Sequence, residues 1–357
     1  MMSGGVDSSV SAALLVEAGH HVEGFTLQTC PPSEGPDEQV YSAIRDAKRV
    51  CDTLGIKHHI IDVTEKFATE IIGRFTSEYL AGLTPNPCVY CNPQIKWGSL
   101  WDAAKSAGME RVATGHYVRL TVDDDGIPHL RQGLDPNKDQ SYFLWGLPAD
   151  ILKITLFPLG DCEKPQTRVK AREFNLPVAE KSESQEVCFL FDDDYRNWLL
   201  KRSKELADGA MSGAMVDQSG KKVGTHNGFP LFTIGQRKGL GLGGGKLMFV
   251  TAIDPQTKQV TIGDREDLLS NRFIIERVNQ FDPKPLTEQT GLSVKIRYRS
   301  QPVPARIVSI DSGRIAIVQT DQPVESVTPG QSAVFYRGDE LIAGGIIVRA
   351  ESGEQTG

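Results

Sequence analysis

A glycine-rich segment at the start of the chain constrains the fold more than any other feature. Residues 3–9 read Ser-Gly-Gly-Val-Asp-Ser-Ser and run directly into apolar residues at helical spacing, which end near Gly19. Backbone N–H groups at a helix N-terminus are unpaired and lie at the positive end of the helix dipole, so they suit a phosphate. Gly4 and Gly5 let a bulky anion approach the backbone. The pattern predicts a phosphate-binding turn, and it is not a Walker A loop because no Gly-Lys-Ser/Thr follows.

The side chains of this segment also suit a bound nucleotide. Ser8 and Ser9 are expected to cap the helix or to bind phosphate oxygens, and Asp7 is expected to hold a magnesium ion. An ordinary capped helix start is the alternative, which a lone pair of glycines would favour. A loop of this kind follows a strand, and so few residues precede it here that we expect the natural start of the chain to lie upstream.

Strands and helices alternate along the first half of the chain. Apolar periodicity predicts strands over 21–27, 57–63 and 111–114, and helices over 37–54, 65–80, 95–107 and 164–175. This alternation is typical of an α/β fold with a Rossmann-like parallel sheet, and we expect the strand 57–63 to be buried on both faces. Ligands bind beyond the carboxyl ends of such strands, so the opening loop, Leu27 and Gly115 are expected at one rim.

The composition changes near Asp208, where glycine becomes frequent and short alternating segments begin. This change predicts β-rich structure with tight turns. We therefore expect a catalytic domain over 1–207, a small β module over 208–268, a C-terminal β-barrel over 269–350 and a disordered tail over 351–357.

Charge and hydropathy bound the class of protein. The 357 residues carry a net charge of −7 and are 39% hydrophobic, and no apolar run reaches membrane-spanning length, so we expect a cytoplasmic protein. The acidic balance argues mildly against a nucleic-acid partner. Basic clusters over 164–172, 196–204 and 295–306 are interpreted as solvated faces that together could follow a phosphate backbone.

The six cysteines do not indicate a disulfide framework in a chain of this length. Cys51 falls on the apolar stripe of a predicted helix and is expected in the core. Cys88 and Cys91 have C-x-x-C spacing within the segment 82–97, where three prolines exclude a regular helix and predict a stiffened loop. Cys188 follows a polar run and precedes an apolar one.

Seven motifs occur in one order along nearly the whole chain, and together they resemble the tRNA-specific 2-thiouridylase (MnmA) family of PP-loop ATP pyrophosphatases. They follow the opening Ser-Gly-Gly-x-Asp-Ser-Ser. The motifs are Thr-Pro-Asn-Pro-x-x-x-Cys-Asn (84–92), Ala-Thr-Gly-His-Tyr (113–117), Lys-Asp-Gln-Ser-Tyr-Phe-Leu (138–144), Ser-Gln-Glu-Val-Cys-Phe (184–189), Thr-Ile-Gly-Gln-Arg-Lys-Gly-Leu (233–240), Arg-Tyr-Arg (297–299) and Thr-Pro-Gly-Gln-Ser-Ala-Val-Phe-Tyr (328–336).

The resemblance implies a reaction and its participants. ATP with Mg²⁺ adenylates the C2 oxygen of the wobble uridine of a tRNA, and a persulfide sulfur then replaces that oxygen. Cys188 is implied to carry the persulfide and Cys91 to be the partnering nucleophile. A low pKa is expected for such thiols. The sulfur comes from a cysteine desulfurase or a relay protein, and the tRNAs expected are those for Lys, Glu and Gln.

The resemblance also assigns binding roles by motif, again as expectations. The ATP phosphates are assigned to Gly4, Gly5, Val6, Asp7 and Ser8, and the adenosine to Leu27 and Gly115. The target base is assigned to Asn86, Pro87, Cys88 and His116. Further tRNA contacts are assigned to Lys138, Asp139, Gln140, Arg297, Tyr298 and Gln331.

The chain departs from the family pattern at Cys88, where many members have aspartate. One interpretation keeps the two-thiol mechanism and treats Cys88 as a tolerated substitute. The other makes Cys88, Cys91 and Cys188 ligands of a [4Fe–4S] cluster, with zinc a weaker option because a fourth ligand is needed. Two further hypotheses are a PP-loop ligase for a small molecule and a catalytically impaired tRNA-binding protein.

Overall fold

The structure is a computed structural model that describes residues 1–30, 37–182, 187–190, 194–241 and 247–351, without the side chains of 37–40. Part of the motif 184–189 and most of the predicted tail lie outside the described residues. Internal contacts divide the chain into two compact units. The first comprises Met1–Ile72, Pro87–Phe191 and Asp339–Ile342, and the second comprises Gly73–Asn86, Asp192–Gly338 and Ala343–Gly357.

The regular elements of the described residues follow the chain in mixed order. The α-helices are α1 (Val6–Glu17), α2 (Asp37–Leu54), α3 (Thr64–Phe67), α4 (Arg74–Leu80), α5 (Cys88–Cys91), α6 (Trp101–Ser106), α7 (Ala149–Lys153), α8 (Lys164–Glu173), α9 (Tyr195–Arg202) and α10 (Lys204–Ala207). The strands of the first half are β1 (Glu23–Gln28), β2 (Lys57–Asp62), β3 (Val112–Ala113), β4 (Val118–Val122), β5 (Pro128–Gln132) and β6 (Thr155–Leu156). Those of the second half are β7 (Gly213–Val216), β8 (Lys222–His226), β9 (Phe249–Asp254), β10 (Gln259–Gly263), β11 (Leu269–Gln280), β12 (Leu292–Lys295), β13 (Val303–Ile310), β14 (Ala316–Glu325), β15 (Ser332–Arg337) and β16 (Glu340–Ala350).

Parallel strands in the first unit confirm the predicted α/β class. β1 pairs with β2 and β3 pairs with β6, both in parallel. The first two residues touch both pairs, because Met2 N–H donates to Phe25 O at 2.7 Å and the Met1 amino group donates to Ala113 O at 2.7 Å. A cavity of about 860 Å³ adjoins them and is lined in part by Phe25 and Ala113.

The predicted burial of the second strand is wrong. β2 has no fully buried residue, and Ile60 is 50% exposed. Within the described part of the chain β2 pairs only with β1, so it is an edge strand with fewer neighbours to cover it. An apolar run alone does not distinguish an edge strand from a central one.

The part of this segment that carries the cysteines is helical, which corrects the loop predicted over 88–97, whereas residues 82–87 form a loop as predicted. Helix α5 begins directly after Pro87 and continues through a π-helical stretch, Asn92–Leu100, into α6. Pro93 lies near the start of the π-helical stretch. A proline removes a hydrogen bond of the α-helical ladder, and a π-helical turn re-routes that ladder, so the chain passes Pro93 without ending the helix.

The core of the first unit lies around α1, α2 and α8. Val10, Ala47 and Ala171 pack there with no exposed surface, and Cys51 joins them, which confirms its predicted core position.

The sequence patterns did not predict the antiparallel hairpin of β4 and β5. A 3₁₀ turn, Ser141–Phe143, follows this hairpin along the chain.

The second unit contains two β structures. Strands β7 to β10 form a four-stranded sheet. Six strands pair in the order β11-β14-β13-β12-β15-β16, and β11 also pairs with β16, so these six strands close into the predicted barrel. Phe273, Val318 and Phe335 are fully buried inside it. Among the described residues, no helix is both long and apolar enough to cross a membrane.

Candidate active site

The opening loop presents bare backbone at the start of α1. Gly4 has φ +70°, and a Cβ there would lie 2.2 Å from Ala43 O. Gly5 is the N-cap in an extended conformation, and no side chain caps the helix. A Cβ on Gly115 would lie 2.6 Å from Ser8 N, so these glycines permit a close approach of three backbone segments. An uncapped N-terminus of a twelve-residue helix fits a phosphate group.

The two loop serines stabilise the turn instead of capping the helix, which corrects their expected capping role. Ser8 Oγ donates to Gly5 O at 3.2 Å, and Ser9 Oγ donates to the same carbonyl at 2.7 Å. The Ser3 N–H donates to Ser8 Oγ at 3.1 Å. Because the hydroxyls bond the loop's own backbone, the helix N–H groups are left to a ligand.

Two lysines missed by the sequence analysis hold the loop. Lys164 Nζ lies 2.6 and 2.8 Å from the two carboxylate oxygens of Asp7, and the Tyr117 hydroxyl donates to Asp7 Oδ1 at 2.8 Å. Lys181 Nζ donates to Gly4 O at 3.0 Å and to Asp46 Oδ2 at 2.7 Å. Lys164 is only 8% exposed, so it does not belong to the solvated basic face expected for its helix.

The loop by itself does not form a magnesium site. Asp7 contributes one carboxylate, and Lys164 already occupies both of its oxygens. Within the part of the chain that the structure describes, no group of three or more His, Cys, Asp or Glu residues could hold a metal ion. The geometry therefore fits the phosphates of a nucleotide, and a magnesium ion would take its ligands chiefly from phosphate and water.

Three thiols in the first unit influence one another. Cys88 and Cys91 lie on α5 and are half-buried, whereas Cys188 is exposed. Burial raises the pKa of Cys91 to about 11. Desolvation of the sulfur, followed by the negative charges of Cys91 and Cys88, raises the pKa of Cys188, although the residue as a whole is exposed.

The low thiol pKa expected from the sequence is therefore wrong for this state of the protein. Burial also raises the pKa of Cys88. Lys96 acts in the opposite direction, because its positive charge lowers the pKa of all three thiols. This lysine lies one helical turn beyond Cys91, and the sequence analysis did not identify it.

His116 is neutral at neutral pH. Burial, and then the charge of Lys96, lowers its pKa well below the usual value. Its Nδ1 lies 2.8 Å from Thr114 Oγ1, and its ring lies 5.6 Å from the ring of Trp97. The charge of Lys96 thus lowers the pKa of His116 as well as the pKa of the three thiols, which supports a common location for these groups.

Other predicted site residues of the first unit have internal partners. Leu27 lies on β1 and is half-buried, and Pro87 immediately precedes α5. Asp139 is buried and accepts hydrogen bonds from the N–H groups of Ser141 and Gly133 at 3.1 Å each. Gln140 Oε1 accepts from the N–H of Tyr117 at 3.1 Å. Lys138 is half-buried. The proposed contacts of these residues with adenosine or tRNA stay predictions.

The predicted tRNA residues of the second unit are also engaged. Arg297 Nη2 donates to Ile234 O at 2.9 Å and to Thr328 Oγ1 at 2.7 Å. The Lys295 ammonium lies 5.7 Å from the centre of the Tyr298 ring. Two more predicted residues belong to this unit: Asn86, which is buried, and Gln331, whose Nε2 donates to Thr84 O at 2.9 Å.

Comparison with known families covers most of the chain. Residues 1–192 match a tRNA methyl transferase HUP domain, residues 204–264 a tRNA methyl transferase PRC-barrel domain, and residues 270–347 an aminomethyltransferase beta-barrel domain.

Full-length relatives are named tRNA-specific 2-thiouridylase MnmA. The protein from Pelotomaculum thermopropionicum is 43% identical over 353 residues, which cover 97% of this chain and 95% of the relative. The protein from Carboxydothermus hydrogenoformans is 44% identical, with 97% and 96% covered, and that from Chloroflexus aggregans is 43% identical, with 99% and 98% covered. Identity and coverage of this extent show that the chain belongs to the tRNA-specific 2-thiouridylase family.

Proposed function

We propose that this protein is an ATP-dependent tRNA sulfurtransferase that converts the wobble uridine of tRNA to 2-thiouridine. The coupling of Cys188 with Cys91 carries the proposal, because two thiols far apart in sequence influence each other in the same unit as a phosphate-binding loop. The relatives named above bear the name of this activity. We further propose that residues 1–207 carry the catalysis, with 208–268 and 269–350 as the small β module and the tRNA-contacting barrel.

ATP is the first substrate. Its phosphates would lie against the loop residues Gly4–Ser8, with Leu27 and Gly115 on the adenosine side. Lys164 holds Asp7 and Lys181 holds the Gly4 carbonyl, so both ends of the loop stay in place when the nucleotide binds. The C2 oxygen of uridine attacks the α-phosphorus, pyrophosphate leaves, and the oxygen becomes part of an AMP leaving group.

The sulfur step needs both thiols. A cysteine desulfurase or a relay protein would supply the terminal sulfur of a Cys188 persulfide. That sulfur forms a bond to C2, and the bond between C2 and the AMP oxygen breaks. Cys91 thiolate attacks Cys188 Sγ, the S–S bond of the persulfide breaks, and a Cys91–Cys188 disulfide remains. In the alternative order, Cys91 thiolate first attacks Cys188 Sγ and releases the terminal sulfur as sulfide, which then attacks C2. This order leaves the same Cys91–Cys188 disulfide.

Both thiols must be activated before they can react as nucleophiles. At neutral pH the raised pKa values keep Cys91 and Cys188 protonated, so a base or a nearby cation must assist. Lys96 is the cation that acts on both. His116 is neutral because its pKa is lowered, so it does not supply a positive charge to the thiols.

The tRNA contacts form the remaining part of the proposal. The residues proposed to contact the target base are Asn86, Pro87, Cys88 and His116. The tRNA body would meet Lys138–Gln140, and Arg297, Tyr298 and Gln331 in the second unit. Extrusion of one base from a structured loop matches how such enzymes reach a reacting atom. The tRNAs for Lys, Glu and Gln, the sulfur donor and the cytoplasmic location stay predictions.

The persulfide route is favoured over the cluster route. A [4Fe–4S] cluster would need Cys88, Cys91 and Cys188 as ligands, and the described residues, which include all three, contain no group arranged to hold a metal. Three thiolates are chemically suited to a cluster, so the cluster route is tested beside the persulfide route. Iron and sulfide analysis of anaerobically purified protein separates the two routes, since the persulfide route requires colourless, active enzyme.

Transfer of labelled sulfur tests the proposed function directly. The assay supplies ATP, a cysteine desulfurase with labelled cysteine, and a tRNA transcript, and it measures 2-thiouridine by nucleoside mass spectrometry. Cys91→Ser and Cys188→Ser should each abolish incorporation, whereas Cys162→Ser should retain it. Full incorporation by Cys188→Ser refutes the sulfur route, and incorporation without ATP refutes the adenylation step.

A further inference from the structure

Cys88 is a third thiol that the sulfur step proposed above does not use. It lies three residues before Cys91 on the same helix. The negative charge of its thiolate form contributes to raising the pKa of both Cys91 and Cys188. The two-thiol reaction leaves Cys91 and Cys188 joined in a disulfide, and Cys188 cannot accept another sulfur atom in that state. Each turnover therefore needs a route that returns Cys188 to the thiol.

The position of Cys88 suits exchange with that disulfide. Residues three apart on an α-helix have Cα atoms about 5 Å apart from the helical rise and radius. This separation falls within the range of about 4.4–6.8 Å that a disulfide spans. Cys88 and Cys91 can therefore form a disulfide within α5, provided that their side chains turn toward each other.

We propose that Cys88 is a resolving thiol that transfers the disulfide from Cys188 onto the Cys88–Cys91 pair. The Cys88 thiolate attacks Cys91 Sγ, a Cys88–Cys91 bond forms, and the Cys91–Cys188 bond breaks. Cys188 leaves as a thiolate and takes up the proton that Cys88 released, so the exchange is neither an oxidation nor a reduction overall. An external dithiol then reduces the Cys88–Cys91 disulfide by two electrons.

Several features of the site support this order of events. Cys88 and Cys91 lie at i and i+3 on one helix, so the attacking thiol and the sulfur that it attacks are held at the spacing of a disulfide. Cys188 is the exposed member of the three, so a sulfur donor can reach it, while the half-buried pair holds the disulfide. The proposal rests on the proposed function, because the Cys91–Cys188 disulfide is the product of that reaction.

Peptide mapping after a single turnover distinguishes the two disulfides. Trypsin places Cys88 and Cys91 together on the peptide 75–96 and places Cys188 on the peptide 182–196. The enzyme is first loaded with persulfide, given ATP and tRNA without reductant, and then alkylated. The wild-type protein should yield peptide 75–96 lighter by two hydrogen atoms, with peptide 182–196 free and alkylated.

The Cys88→Ser variant should trap the earlier disulfide. We expect its reaction to stop at the Cys91–Cys188 disulfide, which yields 75–96 cross-linked to 182–196, and its steady-state turnover with a dithiol to fall by on the order of tenfold. The cross-link identifies the resolving role, because Cys88 is also proposed to contact the target base and its loss can slow the reaction by that route as well. Cys162→Ser is the matched control and should behave as the wild type. Far-UV circular dichroism and normal loading of Cys188 with persulfide show that Cys88→Ser is folded.

The results separate this inference from the proposed function. A cross-link between the two peptides in the wild type, with equal steady-state rates for wild type and Cys88→Ser, overturns the resolving role and leaves the sulfur route intact. Full incorporation by Cys188→Ser overturns the sulfur route itself, and the role of Cys88 falls with it.

Discussion

The contact between Gly115 and the phosphate-binding loop yields the sharpest prediction. A Cβ at residue 115 would lie 2.6 Å from Ser8 N and 2.7 Å from Asp7 C. Both are backbone atoms, so no side chain can rotate away. Ordinary contact begins at 3.4 Å, and Gly115→Ala therefore displaces the two segments by about 0.8 Å.

This displacement should impair nucleotide binding more than folding. Overpacking of this kind destabilises a protein by about 1–3 kcal/mol. A misplacement near 1 Å in a preorganised site lowers the rate by about 100-fold. We expect Gly115→Ala to remain folded at 25 °C, to bind ATP at least about tenfold more weakly, and to release pyrophosphate about 100-fold more slowly.

Calorimetric titration with ATP, a pyrophosphate-release assay and thermal unfolding measure the three quantities. Gly19→Ala is the matched control, because it lies at the other end of α1 with φ +82° and no atom within 4 Å of the new Cβ. Backbone strain at that residue destabilises the fold by about 1–2 kcal/mol, without reaching the loop. Equal ATP affinity in Gly115→Ala and the wild type refutes the reasoning.

Three other perturbations have defined outcomes. Lys164→Met should destabilise the protein by about 2 kcal/mol in urea denaturation, because it leaves the partly buried carboxylate of Asp7 without its ion pair. The hydrogen bond to Glu340 raises the pKa of His129, so this pair stabilises the fold fully below the unfolded pKa of His and loses that contribution as pH rises through the higher folded pKa. Unfolding free energies at about pH 6 and pH 8.5 should differ less in His129→Gln than in the wild type. Lys96→Met should raise the pKa of the three thiols further, so alkylation of Cys91 slows and the pH profile of sulfur transfer moves to higher pH.

Two of these variants, Lys164→Met and Lys96→Met, have a matched control on the surface. Lys153→Met removes an exposed pair with Asp150 and should change stability by less than about 0.5 kcal/mol. Lys105→Met removes an exposed charge from α6, and alkylation of Cys91 should stay at the wild-type rate. A thiol pH profile that is the same in Lys96→Met and Lys105→Met contradicts the role of Lys96. If the unfolding free energy of His129→Gln depends on pH as strongly as that of the wild type, the stabilising role of His129 is contradicted.

Several parts of the fold follow from local sequence. The phosphate-binding turn, α1 and the parallel strands were predictable, because glycine freedom, apolar periodicity and chain alternation act over a few residues. Cys51 was predictable as core for the same reason. The helix at Cys88 was not, because proline argues locally against a helix and only a π-helical turn around Pro93 accommodates it.

The sequence by itself determined which chemical groups the protein has: a bare helix N-terminus for phosphate, and thiols at residues 88, 91 and 188. Only the tertiary structure decided what those groups meet. It buried Lys164 against Asp7, coupled Cys188 to Cys91, and raised the thiol pKa values that motif reasoning expected to be low. Backbone propensity acts within one or two turns, whereas burial and charge pairing depend on segments that folding brings together from distant parts of the chain.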